Sequence, residues 1–128
     1  MPDATIEERE KSSVRTVVFN HLAGIVLVPT VKALSDRNVF SLFGSPGTWV
    51  GLDEIVARTH SNRGYIKVAL RLLASCGWMQ QETGDHELGP SYALTDEGAI
   101  ALRIAPPLYA EVAAFIPKAL FLEDFLFG

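Results

Sequence analysis

The hydrophobic period of this chain changes at Gly77, and this change constrains the fold more than any other feature of the sequence. Before Gly77, residues 62–76 place apolar side chains on one helical face, at Ile66, Ala69, Leu70 and Leu73. After Gly77, "WMQQETGDHELGPSYALT" alternates polar and apolar residues around two turn-forming pairs, Gly84-Asp85 and Gly89-Pro90. The sequence therefore predicts a helix closed by Gly77 that leads directly into a two-stranded hairpin.

The segments on either side of this helix and hairpin complete a pattern. "WVGLDEIVARTH" predicts a short extended entry and then a helix with acidic residues, Asp53 and Glu54, in its first turn. Thr95 is a predicted N-cap for a helix that begins with "DEGAIAL". The order helix, turn, helix and hairpin from about Trp49 to Leu102 is that of a winged helix.

Apolar helices are predicted on both sides of this module. The first begins near Thr5 or Ser12 and Ser13, and we expect Pro29 to kink or break it before a second helix continues through Val31 and Leu34. The tail from Pro106 is predicted to form another helix, interrupted at Pro117. We therefore predict a mainly α protein, one compact domain with an N-terminal helical segment (1–48), a winged-helix module (49–104) and a C-terminal apolar helix (105–128).

The flanking helices carry more apolar residues than a domain of this size needs for its own core. Hydrophobic residues make up 48% of the 128 residues, and the chain ends in "KALFLEDFLFG". Such residues are typical of a surface that packs on a partner. The predicted interface consists of Phe19, His21, Leu22, Val26, Tyr109, Val112, Phe115, Ile116, Phe121 and Phe125. His21 is interpreted either as a hydrogen-bonded core or interface histidine or as a contact for a substrate or cofactor held by a neighbouring domain.

The charges of the chain argue mostly against nucleic acid. The formal net charge is −4, and three acidic residues, Glu82, Asp85 and Glu87, fall near the predicted hairpin tip. The opposing feature is a row of Arg63, Lys67 and Arg71, spaced by four residues along one helical face, as in a helix that reads a DNA groove. A small acidic winged-helix transcription regulator therefore stays as the alternative function, with these three residues as its DNA contacts.

No active site can be assembled from the sequence. The three histidines, His21, His60 and His86, fall on different predicted elements without metal-ligand spacing, and the single cysteine, Cys76, is predicted to be a small core residue. With one cysteine and a charged N-terminus, a cytoplasmic location is expected. The least charged stretch, residues 16–31, is shorter than the roughly 20 apolar residues of a membrane span, so no membrane association is expected.

Longer stretches of the sequence resemble a known family. "NRGYIKVALRLLASCGWM", followed by a hairpin and "YALTDEGAIAL", resembles the N-terminal winged-helix region that precedes the Rossmann core of many S-adenosylmethionine-dependent methyltransferases. With "HLAGIVLVPTVKALSDRNVFSLF" added, the pattern resembles the start of the methyltransferase region in polyketide synthase loading modules of the saxitoxin, apratoxin and gephyronic acid type. Those modules combine methyltransferase-like and GNAT-like decarboxylase regions with a carrier protein.

This resemblance implies a non-catalytic lid or dimerisation domain. The glycine-rich cofactor motif and the acidic residue that binds the ribose are missing from these 128 residues. The resemblance therefore implies that S-adenosylmethionine is bound by a neighbouring core and that this chain holds no cofactor, metal or catalytic residue. The implied partners are a methyltransferase or GNAT-like core in the same or a separate chain, an acyl carrier protein, and a second copy of the chain.

Overall fold

A computed structural model describes residues 5–84 and 89–128 of the chain. Its helices are α1 (Ile6–Asp36), α2 (Leu52–Thr59), α3 (Arg63–Ser75), α4 (Asp96–Ala119) and α5 (Leu122–Phe127), and its strands are β1 (Val50–Gly51), β2 (Met79–Glu82) and β3 (Ser91–Leu94). The strands form an antiparallel sheet in the order β1-β3-β2, with Met79 opposite Leu94 and Val50 opposite Tyr92. The structure confirms a mainly α winged helix that is flanked by apolar N- and C-terminal helices.

Helix α3 begins and ends within one residue of its predicted limits, and its predicted apolar face is buried except at Ala69, which is half-buried. The side chain of Asn62 caps it by accepting a hydrogen bond from the Tyr65 backbone N–H at 3.2 Å. Ile66, Leu70 and Leu73 are buried, and Gly77 adopts a φ of +81° just beyond the helix. A positive φ strains residues with a side chain, so glycine lets the chain turn directly into β2.

Helix α1 is continuous through Pro29, so the predicted break at this residue is wrong. Thr5 and Glu8 form a reciprocal capping box at the start of the helix. Pro29 is exposed, and Val31 and Leu34 enter the core within the next two turns. Their burial offsets the roughly 3 kcal/mol that an interior proline costs a helix. The helix then ends at Asp36, and residues Val39–Leu42 form a short 3₁₀ helix instead of continuing it.

Helix α4 likewise continues through the two prolines at which we predicted that a separate tail helix starts. It runs from Asp96 to Ala119 with Pro106, Pro107 and Pro117 inside it, so the predicted interruption at Pro117 is also wrong. Ala105 is buried in the core, and Tyr109 stacks on Trp78 with ring centroids 6.5 Å apart. These contacts hold the helix on both sides of the proline pair. The division at residues 48 and 104 stays a prediction, although the backbone helix continues across residue 104.

The core lies where α2, α3 and the sheet meet the C-terminal part of α1 and the first half of α4. It consists of Val31, Leu34, Val39, Phe43, Val50, Leu52, Ile55, Ile66, Leu70, Leu73, Met79, Tyr92, Leu94 and Ala105. Cys76 is only half-buried at the end of α3, which is less burial than predicted. Within the described residues, the buried apolar side chains therefore belong to the winged helix and its immediate neighbours, and the outer parts of α1 and α4 lie beyond them.

Candidate functional site

In the part of the chain that the structure describes, the basic row on α3, formed by Arg63, Lys67 and Arg71, is paired with a carboxylate at one end only. Arg63, Lys67 and Arg71 are all exposed, as the spacing predicts. At the N-terminal end, Nε of Arg63 donates a hydrogen bond to Oδ1 of Asp53 at 3.1 Å, across the turn between α2 and α3. Among the described residues, Lys67 and Arg71 form no such ion pair. The positive charge of the row is therefore least compensated toward the C-terminal end of α3.

The Arg63–Asp53 pair is a contact that the sequence analysis missed. The two residues are ten positions apart, on different helices, and local spacing rules do not relate them. A weak signal was available, because Asp53 lies in the first turn of a predicted helix that must cross the next one. The carboxylate of Asp53 places negative charge at the end of α3 that would read DNA bases in a helix-turn-helix protein.

A buried phenol lies beneath this basic row. Tyr92 on the central strand is fully buried, and its hydroxyl has no hydrogen-bond partner among the described residues. Burial raises the pKa of Tyr92, while the nearby positive charges of Arg63 and Arg71 act in the opposite direction. The hydroxyl is closed off from solvent, so Tyr92 contributes to packing under the row and presents no group to a ligand on its surface.

Part of the sequence argument against DNA binding rests on acidic residues at the hairpin tip. The structure describes only some of these residues. Glu82 is exposed at the end of β2, as expected for a wing residue. Asp85, His86 and Glu87 lie outside the described residues. The acidic cluster of the wing therefore stays a prediction.

A second candidate site, which we call the apolar surface, covers the outer parts of α1, α4 and α5. Helices α1 and α4 pack against each other. Each of its large apolar side chains is between 42% and 84% exposed. They are Val14, Val17, Val18, Phe19, Leu22, Ile25 and Val26 on α1, and Ile100, Ile104, Leu108, Val112, Phe115, Leu120, Phe121, Leu122, Phe125, Leu126 and Phe127 from α4 onward. Large exposed apolar patches are a typical feature of surfaces that bind a partner, so these residues are the second candidate for a functional surface.

The structure places most of the predicted interface residues on this apolar surface. Phe19, Leu22, Val26, Val112, Phe115, Phe121 and Phe125 are members of it. His21 is also exposed, and Ile116 is half-buried beside it in the groove described next. Tyr109 differs, because its ring stacks on Trp78 and is partly used inside the domain. The assignment of these residues to an interface stays a prediction.

A groove of about 440 Å³ opens between α1 and α4 within the apolar surface. It is lined by His21, Gly24, Ile25, Val28, Val112, Ile116, Ala119 and Leu120. His21 is the one ionisable residue among them, and a side chain built at Gly24 would meet no atom within 4 Å of its Cβ. The groove can accept an apolar group, and the imidazole of His21 can hydrogen-bond to a polar atom at its edge.

Neither candidate site contains an arrangement for metal binding. Within residues 5–84 and 89–128, no group of three or more His, Cys, Asp or Glu side chains could hold a metal ion. Cys76 and the described histidines stand apart from one another along the chain.

Two helices of the described chain are long and apolar enough to cross a membrane. They are α1 and α4, selected by length and composition alone. Their apolar windows are only 11% and 6% buried, so they are not core helices, yet two such helices are by themselves weak evidence for a membrane span. The two helices pack against each other and against the winged helix, and the cytoplasmic location stays a prediction.

Similar folds occur among solved structures at low sequence identity. The MarR family transcriptional regulator AbsC from Streptomyces coelicolor is 16% identical, with a TM-score of 0.46 over 98% of this chain and 89% of that one. Sco3205, a MarR family regulator from the same organism solved in complex with DNA, is 22% identical, with a TM-score of 0.45 over 94% and 78%. MarR from E. coli is 13% identical, with a TM-score of 0.45 over 86% and 95%. With identities of at most 22% and TM-scores below 0.5, these similarities say nothing about the activity of this chain.

The sequence also matches a defined domain family. No curated protein matches the chain significantly. The model of the AprA N-terminal domain matches residues 14–81, which is more than half of the 128 residues and includes most of α1 and all of α2 and α3. The chain therefore belongs to the AprA N-terminal domain family, a family of domains associated with polyketide synthases.

Proposed function

We propose that this chain is a non-catalytic lid and dimerisation domain of a methyltransferase-like region in a polyketide synthase loading module. In this role its apolar surface packs on a catalytic core, which is either methyltransferase-like or GNAT-like and belongs to the same or a separate chain. The core binds S-adenosylmethionine, and the chain described here closes over the substrate side. The exposed apolar residues of α1, α4 and α5 are the single observation that carries this proposal.

The energetics of the apolar surface favour a permanent partner. Full burial of a Val, Leu, Ile or Phe side chain contributes about 1.5–3 kcal/mol, so covering the exposed half contributes on the order of 1 kcal/mol each. Burial of a dozen such residues is therefore comparable to the cost of association, about 4–15 kcal/mol. Because the surface has more members than that, a partner that covers most of it is held stably.

A lid needs residues that exclude water and orient the substrate, and the groove on α1 and α4 suits both tasks. Its walls are apolar, and His21 supplies one hydrogen-bonding group at the edge. Closing such a surface over a reacting centre removes water from it and strengthens the electrostatic interactions of the core. In this proposal the acid, base and cofactor contacts belong to the core.

The experiment is co-purification of the chain with the methyltransferase-like core of its module, followed by light scattering on a sizing column. We expect a stable complex that Phe19→Glu and Phe115→Glu disrupt, because each variant places a charge among side chains that must be desolvated. Lys67→Glu is the matched control, since it changes an exposed residue on α3, which does not belong to the apolar surface. Failure of the wild-type chain to bind the core, with a folded circular dichroism spectrum, would contradict the proposal.

The second candidate function is the small acidic DNA-binding regulator, and one observation favours it. Lys67 and Arg71 are exposed on the second helix of a winged helix, where such a regulator contacts DNA. Under this alternative the apolar surface joins two copies of the chain. A salt-dependent titration with duplex DNA tests it, because binding that weakens steeply with salt and is lost in Lys67→Glu and Arg71→Glu is what a regulator requires.

A further inference from the structure

The exposed face of α3 combines charge with apolar side chains, and the proposed lid role does not use this combination. Lys67 and Arg71 lie one turn apart, so their Cβ atoms are about 6 Å from each other. Val68 and Tyr65, which are 64% and 79% exposed, are three residues apart on the part of the helix that lies away from its buried Ile66, Leu70 and Leu73. Val68 borders the pair of positive charges, and Tyr65 lies on the far side of Val68 from them.

Arg63 does not belong to this free patch. Its guanidinium is engaged by Asp53 at 3.1 Å, and a Cβ placed at Gly89 would be 3.1 Å from its Nη2 atom. Arg63 therefore lies between the start of α2 and the base of the hairpin. The α3 docking face, defined as Tyr65, Lys67, Val68 and Arg71, begins two residues beyond it.

The charge of this docking face suits a partner with a few carboxylates better than a nucleic acid. Duplex DNA is held by several phosphate contacts, each of which releases counterions, and two lysine or arginine residues on a chain of net charge −4 supply few of them. Asp53 is already paired with Arg63 and Glu54 with Arg58, so neither leaves an uncompensated charge for a partner of α3 to meet.

An acidic amphipathic helix has the complementary chemistry. Two carboxylates spaced by four residues on such a helix match the spacing of Lys67 and Arg71, and an apolar residue beside them packs on Val68 and Tyr65. We propose that the α3 docking face binds an acidic amphipathic helix of a partner protein. The identification of this partner as the acyl carrier protein of the module rests on the proposed function.

The binding is transient and sensitive to salt. A face of four side chains is smaller than a permanent interface, and complementary charges raise the association rate and specificity more than the affinity. These properties suit a carrier that must arrive and leave in every reaction cycle. Because the apolar surface lies on α1, α4 and α5, the carrier and the core bind to separate elements.

The test is a titration of the whole chain with the purified acyl carrier protein of its module, at low and at high salt. Binding is measured through the amide chemical shifts of the chain. We expect shifts on α3, and a fall in affinity of about fivefold for each of Lys67→Glu and Arg71→Glu. Arg9→Glu, which makes the same charge change on α1, leaves the affinity unchanged. An Asp or Glu to Lys change on the acidic helix of the carrier restores binding to Lys67→Glu.

Three results would overturn the inference. The first is an absence of shifts on α3 in a folded chain, and the second is an equal loss of affinity in Arg9→Glu. The third is tight binding of duplex DNA that depends on Lys67 and Arg71 while the carrier does not bind. The proposed function is tested separately, because loss of core binding in Phe115→Glu with intact carrier binding concerns only the apolar surface.

Discussion

Replacement of Gly98 by alanine tests how closely α4 approaches the end of α3. A Cβ at this position would lie 1.8 Å from the carbonyl oxygen of Trp78 and 2.7 Å from its carbonyl carbon. The clash is with backbone, which no side-chain rotation relieves. The same carbonyl oxygen accepts a hydrogen bond from the Thr95 backbone N–H at 3.1 Å, so a shift of Trp78 also weakens the start of α4.

The expected cost follows from two opposing effects. Overpacking a tight contact costs about 1–3 kcal/mol, and the contact at Gly98 belongs at the upper end because the neighbouring atoms are backbone. The higher helix propensity of alanine returns at most about 1 kcal/mol. We therefore expect Gly98→Ala to lower the free energy of unfolding by about 2 kcal/mol, which corresponds to a fall in Tm of roughly 8 °C.

The assay is urea unfolding followed by circular dichroism, with Gly24→Ala as the matched control. Gly24 is also in a helix, but a Cβ there meets nothing within 4 Å, so the same substitution is expected to stabilise the chain by about 0.5–1 kcal/mol. The two variants should therefore shift the midpoint in opposite directions. A Gly98→Ala chain that is as stable as the wild type would refute the close approach of α4 to Trp78.

Three further perturbations have defined outcomes. Tyr92→Phe removes a buried hydroxyl without a partner among the described residues, so we expect a gain of about 1 kcal/mol in urea unfolding. Burial raises the pKa of the Tyr92 hydroxyl above its usual value of 10. The free energy of unfolding is therefore independent of this titration below pH 10 and falls as the pH rises toward the pKa of the folded state. The alkaline stability profile of Tyr92→Phe should lack this fall. Thr95→Ala removes both the cap to the Gly98 N–H at 2.9 Å and the hydroxyl bond to the Gly77 carbonyl at 2.7 Å, so thermal melting should report a loss of about 1–2 kcal/mol. Asp53→Asn breaks an exposed ion pair with Arg63, and a change in unfolding free energy above about 1 kcal/mol would contradict the exposed geometry of the pair.

Local signals in the sequence account for the winged helix. In α3 the apolar spacing and the closing Gly77 act within a few residues and have the predicted role, and Asn62, where the predicted helix begins, caps it in the structure. The hairpin strands and the Thr95 cap follow for the same reason. Such features are predictable because the atoms that interact are close along the chain.

The prolines show where local reasoning is insufficient. A proline inside a helix has a known local cost, and the predicted break at Pro29 and new start at Pro106 both follow from it. The structure keeps both helices continuous because residues beyond each proline, such as Leu34 and Tyr109, pack on the core. Burial of distant side chains decides the outcome, and the local spacing of residues does not report it.

The candidate sites, too, were predictable from the sequence only where they depend on local spacing. The sequence by itself determined that α3 carries a row of basic residues and that the flanking helices are rich in apolar residues, because periodicity assigns side chains to helical faces. Only the tertiary structure decided that Asp53 engages Arg63, that Tyr109 turns toward Trp78, and that α1 and α4 leave a groove beside His21. These contacts join residues on different elements, so they depend on the packing of helices that no single segment specifies.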